Sequence, residues 1–131
     1  MEKLRGIYVL IIKVDKDIGV DVGALGRVNF KKGLYAYVGS AQTNLAQRIE
    51  RHLRKGKRRF WHIDYLLDND YVKVLKVFFE SADKKEECRV ARLIGEKSVL
   101  ISSFGSSDCH CRSHLFHIED YAFLKIFMRE L

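Results

Sequence analysis

The stretch from Tyr35 to His52 constrains the fold more than any other, because strand, turn and helix signals follow one another there without a gap. Tyr35 and Tyr37 alternate with Ala36 and Val38 at the strand period of two, so both phenols leave one face of a sheet. Gly39 then predicts a tight Gly39–Ser40 turn, and Thr43 or Asn44 is placed to accept from the first free amides of a helix. On that helix Leu45, Ile49 and Leu53 recur as an apolar stripe, while Arg48 and His52 stand one above the other on a neighbouring face. A phenol, a guanidinium and an imidazole at one strand-to-helix junction suit phosphate chemistry. Arginine matches the spread of phosphate oxygens, and tyrosine and histidine move protons. The plainer alternative makes the tyrosines core and the arginine a solvated helix residue.

With 131 residues, 47% hydrophobic and 31% charged, the chain has the size and composition of one soluble globular domain. The longest apolar run, Ile7 to Ile12, is far short of the roughly twenty residues a bilayer requires. The start, Met-Glu-Lys-Leu-Arg, lacks the hydrophobic region of a signal peptide, so a cytoplasmic location is expected and no membrane partner. Three cysteines, an odd number, argue against a disulfide framework and for a reducing compartment.

A net charge of +7 favours an anionic partner, most simply nucleic acid. The charge is concentrated: Arg48, Arg51, Arg54, Lys55, Lys57, Arg58 and Arg59 face a single acid, Glu50, and Phe60, Trp61 and His62 follow directly. A basic helix running into a basic loop and then aromatics would track phosphates and offer a stacking platform. Arg51, Lys55, Lys57, Arg58, Arg59, Trp61 and His62 are the candidate contacts; the alternative is a solubilising face followed by core aromatics.

Along the rest of the chain, 6–14 reads as a buried strand, 15–17 as a polar turn, 18–22 as a second strand and 27–30 as an extended segment before the strand at 34–38. Glycine-marked short links argue for antiparallel hairpins. Trp61 to Leu67 reads as a short helix with Trp61, Tyr65 and Leu66 inward and His62 offset, and 72–79 as a further strand. Asp83 is placed to cap a helix from Lys84 to about Glu96, on which Glu87, Val90, Ala91 and Ile94 share one face. A carboxylate heading an apolar stripe is costly to bury unpaired, so Glu87 lies at the rim or meets a cation or metal, with Glu86 near enough to share that role. The alternative is an exposed first-turn glutamate favoured by the helix dipole.

Residues 99–104 suggest another strand. Cys109, Cys111 and His114, with His110, His117 and Cys88, are candidate zinc ligands, since thiolate and imidazole are what zinc prefers. The spacing lacks the usual Cys-x2-Cys pair, which favours a metal-free ordered loop. Residues 121–131 read as a hydrophobic closing helix, with Lys125 and Arg129 on its surface, that completes the core or supports a homodimer.

Gly6-Ile7-Tyr8, then Tyr37-Val38-Gly39 with Ser40-Ala41, then Arg48 and His52 on the following helix, resemble the GIY-YIG nuclease superfamily. Glu87 sits where that superfamily has its helix glutamate. The Val22-to-Gly26 segment, Trp61-His-Ile-Asp-Tyr65, and the Ser106-to-Cys111 and His114-to-Phe116 ending resemble one branch of it, the DUF123 or Uri-type endonuclease group.

The resemblance implies an α/β domain with a central three-stranded antiparallel sheet flanked by helices. Its core covers about 6–96, with a Cys/His-containing extension over about 97–131. The long interval between the triplets implies an added hairpin. The resemblance also implies DNA cleavage, with RNA as the alternative ligand, and one divalent ion, commonly magnesium, with manganese as a substitute. Glu87 would hold that ion, and Arg48 would offset charge growing on the phosphate. Tyr37 or Tyr8 would take the proton from water, helped by positive charge from Arg48 and His52, or His52 would accept it directly. The rival expectation is a nucleic-acid-binding module of the same fold that does not cut.

Overall fold

The computed structural model describes residues 5–54, 61–96, 98–102, 104 and 113–130. Its organising strand is β1 (Gly6–Val14), which pairs antiparallel with β4 (Gly33–Ala41) on one side and with β5 (Val72–Glu80) on the other. Every residue of β1 except Lys13 is buried, because the sheet is covered on both faces. Tyr8, Leu10, Ile12 and Val14 point into one core layer, and Ile7, Val9 and Ile11 into the other. Each such fully buried aliphatic side chain stabilises the fold by about 1.5–3 kcal/mol.

The first layer is closed by α1 (Leu45–Leu53), α2 (His62–Leu67) and the hairpin of β2 (Ile18–Asp21) with β3 (Arg27–Phe30), joined by a single 3-10 turn at Gly23–Leu25. This is the hairpin expected from the spacing of the two triplets. Lys32 N–H donates to the Asp17 carboxylate at 2.8 Å and ties its base. The second layer holds α3 (Glu86–Gly95) and the short α4 (Leu124–Phe127).

The sheet is wider than three strands. β7 (Leu115–Ile118) pairs with β4, β6 (Val99–Leu100) pairs with β7, and β8 (Arg129–Glu130) pairs with β5, giving the order β6-β7-β4-β1-β5-β8 among the described residues. The fold is therefore α+β with an antiparallel sheet, as expected, built outward from the three central strands.

Several local expectations are corrected. Residues 121–131 do not form one helix: after α4, Met128 is extended and β8 follows, because the chain finds an open ladder on β5. The strand at 99–104 is only Val99–Leu100. Asp83 supplies its backbone carbonyl, not its side chain, to the start of α3, with Glu86 N–H at 2.9 Å. On α1 the buried stripe ends at His52, 2% exposed, and Leu53 is 52% exposed. Seven residues make nearly two full turns, so His52 lies beneath Leu45 and Leu53 has rotated past the core. On α2, Ile63, Asp64, Leu66 and Leu67 are buried, while Trp61 and Tyr65 are half-buried.

Gly39 is not a turn residue. It lies inside β4, opposite Tyr8 in the β1–β4 ladder, and a Cβ on it would stand 2.4 Å from the Tyr8 ring. Gly6, the other motif glycine, is excluded from bearing a Cβ by the Glu80 carbonyl oxygen 2.2 Å away. Both glycines are thus required by close approach of a neighbouring strand.

Candidate active site

Tyr8 and Tyr37 leave adjacent strands on the same face, since Tyr8 pairs with Gly39 and Tyr37 with Leu10. Asn44, and not Thr43, caps α1, accepting from Gln47 N–H at 3.1 Å. That cap fixes the rotation of α1 so that its second turn faces the phenols. Tyr8 and His52 Nε2 share a buried hydrogen bond of 2.7 Å, and the Tyr37 ring meets the His52 ring edge-on with centroids 6.2 Å apart. Arg48, one turn before His52, donates from Nη1 to the Ser40 carbonyl at 3.0 Å, close enough to Tyr8 for its charge to act on the phenol.

Trp61 forms the outer wall. Its ring packs under the guanidiniums of Arg48 and Arg51, each 4.4 Å from the ring, and against His52 at 5.8 Å. Arg51 in turn makes a two-pronged pair with Asp64, at 2.9 and 3.0 Å, and Asp64 also accepts from Trp61 N–H at 2.9 Å. Asp64 is fully buried. One carboxylate therefore fixes both the tryptophan and the arginine stacked on it. Trp61 and Arg51, read from the sequence as nucleic-acid contacts, spend much of their surface on each other. His62 is half-buried with its ring 5.6 Å from Phe104, and burial lowers its pKa from the ordinary histidine value. Lys55, Lys57, Arg58 and Arg59 lie outside the described residues.

Burial pushes the Tyr8 phenol far above its usual range. The charge of Arg48 acts against this, and the charges of Glu87 and Asp64 add to it. Tyr37 is raised for the same leading reason, with Tyr8, Glu87 and Asp64 adding and Arg48 opposing. For both phenols desolvation thus outweighs the opposing charge of Arg48.

Glu87 stands at the rim of the α3 stripe, its side chain 14% exposed, while Val90, Ala91 and Ile94 are buried behind it. Its charge is felt by both phenols, and its Oε1 lies 2.8 Å from His114 Nδ1, a contact that departs from the line of a well-directed hydrogen bond. Glu86 is turned instead to Arg89, which also pairs with Glu80 and whose pKa is raised chiefly by its hydrogen bond to Glu86. A hard divalent cation uses one or two carboxylates and completes its shell with water and phosphate. A single half-buried carboxylate beside an arginine-lined junction fits magnesium, or manganese, held in that way.

The zinc set does not assemble from described residues. Cys88 is disulfide-bonded and offers no thiolate; His114 faces Glu87; and His117 stacks on Tyr35 at 4.6 Å. Cys109, Cys111 and His110 lie outside the described residues. Among the described residues no three His, Cys, Asp or Glu side chains converge, and no helix is long and apolar enough to cross a membrane.

Asp64 and the Glu87–His114 contact were missed from the sequence. An acid three residues after Trp61 is a helix-start signal that points to Asp64, although nothing local points to Arg51 as its partner.

No curated protein and no solved structure matches the chain. A family model does match, over residues 7–131, and the chain belongs to the family described as domain of unknown function DUF123.

Proposed function

We propose that the chain is a metal-dependent endonuclease that hydrolyses phosphodiester bonds in DNA, with an active site of the GIY-YIG type made by Tyr8, Tyr37, Arg48, His52 and Glu87. The observation that carries this reading is the buried hydrogen bond between Tyr8 and His52 Nε2, at 2.7 Å, beside the Arg48 guanidinium. A purely structural core would fill that space with aliphatic side chains at lower desolvation cost.

In this reading His52 takes the proton. A phenol whose pKa is raised by burial does not hold a negative charge at neutral pH. Tyr8 therefore passes a proton inward from a water nucleophile to Nε2, through a hydroxyl that both donates and accepts, so that the phenolate never has to persist. Arg48, anchored to the Ser40 carbonyl, faces the junction where charge grows on the phosphate, and it needs no reorganisation to do so. Tyr37 shapes the inner wall and keeps His52 edge-on. Glu87 binds magnesium or manganese, which when present polarises the phosphate and stabilises the leaving oxygen.

A second reading, a nucleic-acid-binding module without cleavage, is favoured by one observation: Arg48 and Arg51 stacked on Trp61 form a basic aromatic face that can hold nucleic acid without any metal. A cleavage screen over single-stranded, duplex and branched DNA and over RNA, with magnesium and with manganese, separates the two. Nicking that disappears in Glu87→Gln while DNA affinity is retained is the expected result. Binding without cutting of any form would leave the module.

A further inference from the structure

We propose that His114 is a positioning residue for Glu87: it pins one carboxylate oxygen and leaves the other for a divalent cation. The proposal rests on the reading of Glu87 as the cation's ligand.

Glu87 lies in the first turn of α3, and a glutamate has three torsions that must be fixed before it can present a defined oxygen. The neighbour comes from the other end of the chain. His114 Nδ1 is 2.8 Å from Glu87 Oε1, and His114 is only 1% exposed. Its backbone is fastened on both sides, its N–H donating to the Phe104 carbonyl at 2.8 Å and its carbonyl accepting from Val38 N–H at 2.9 Å. Ser113, before it, is held by its hydroxyl to the Ile101 and Leu115 carbonyls. The imidazole is thus carried on a rigid mount, and Val38 connects that mount to Tyr37 and Gly39 on β4. An imidazole on such a mount, in contact with one carboxylate oxygen though out of line for a well-directed hydrogen bond, limits where the carboxylate can turn, as partners behind a metal ligand do elsewhere in proteins. The segment after α3 would then belong to the site as a supporting part, and not as a separate zinc loop.

If His114 only neutralised a half-buried acid, its loss would lower stability without touching cation affinity. The test titrates Mn²⁺ alone into the full chain and reads free ion by electron paramagnetic resonance. His114→Leu keeps the bulk and removes the nitrogen; it is expected to weaken Mn²⁺ binding about tenfold. His114→Asn, whose amide reaches the place of Nδ1, is expected to restore most of the affinity. Within Glu87→Gln, which should bind no Mn²⁺, His114→Leu should change nothing further. His114→Leu with wild-type affinity overturns the proposal and leaves the metal reading standing, whereas a wild type that takes up no Mn²⁺ overturns both. Should the leucine variant fail to fold, His114→Gln, whose amide reaches the place of Nε2 and not that of Nδ1, takes its place: it should bind Mn²⁺ about tenfold more weakly than wild type, and wild-type affinity there overturns the proposal.

Discussion

Tyr8 lies across Gly39, its ring 2.4 Å from where a side-chain carbon on residue 39 would stand. The two are ladder partners on β1 and β4, so the approach is fixed by register. Gly39→Ala should therefore push the phenol off His52 and destabilise the fold by about 1–3 kcal/mol, the usual cost of overpacking. Urea unfolding of Gly39→Ala measures it. The loss should shrink when Tyr8→Ala is added, and equal losses in both backgrounds would show that the ring is not the obstacle.

Tyr8, Tyr35 and Tyr37 should ionise late in an alkaline titration. Burial raises all three, Tyr35 to about 12, and the Tyr35 hydroxyl donates to the Lys31 carbonyl. For a phenol the raised value means the folded state holds its proton more firmly than the unfolded state. The stabilisation is complete below the unfolded phenol value of about 10 and is lost as pH climbs from there towards the folded values. Absorbance at 295 nm, compared between wild type and Tyr37→Phe, checks this. The variant should lack signal only at the extreme alkaline end, and a loss of signal near pH 10 would contradict burial as the dominant cause.

Arg48→Ala should reduce single-turnover cleavage by about 100-fold or more, as when a donor to a developing oxyanion is removed. Arg48→Lys should recover little, because an ammonium cannot both donate to the Ser40 carbonyl and stack on Trp61 as the planar guanidinium does. Rates within a few-fold of wild type would place Arg48 outside the reaction.

Asp64→Asn should be costly to stability. The carboxylate accepts from Arg51 twice and from Trp61 N–H, at zero exposure. Hydrogen bonds to a charged group contribute about 1.5–3 kcal/mol, and Arg51 is 24% exposed, which lowers its share. Thermal unfolding reads the stability loss, and Trp61 fluorescence, from the one tryptophan in the chain, should report a loosened ring. An unchanged emission spectrum would argue that Asp64 does not hold Trp61.

The parts of this site that follow a period were legible in the sequence. Tyr37 and its strand follow from alternation, Arg48 and His52 from helical spacing, and the rim position of Glu87 from a stripe whose other members are apolar. What escaped depends on partners distant in sequence. Gly39 resembled a turn glycine because Gly-Ser commonly is one, yet its cause is an aromatic on another strand. His114 stood among cysteines and histidines that suggested zinc, while its actual neighbour is an acid on α3. Leu53 looked like the end of the apolar stripe, and only the phenol waiting at Tyr8 explains why an imidazole takes that place.

The central position of β1 bears on how the molecule comes together. The β2–β3 hairpin separates β1 from β4, and that hairpin, β4, α1 and α2 all separate it from β5, so neither pairing is local. Such long loops must close before the ladder returns any gain, which slows folding. During that wait Ile7, Val9, Leu10, Ile11 and Ile12 form a bare β-prone run, guarded only by Arg5 before it and Lys13 after, and it is there that a stalled chain would begin to aggregate.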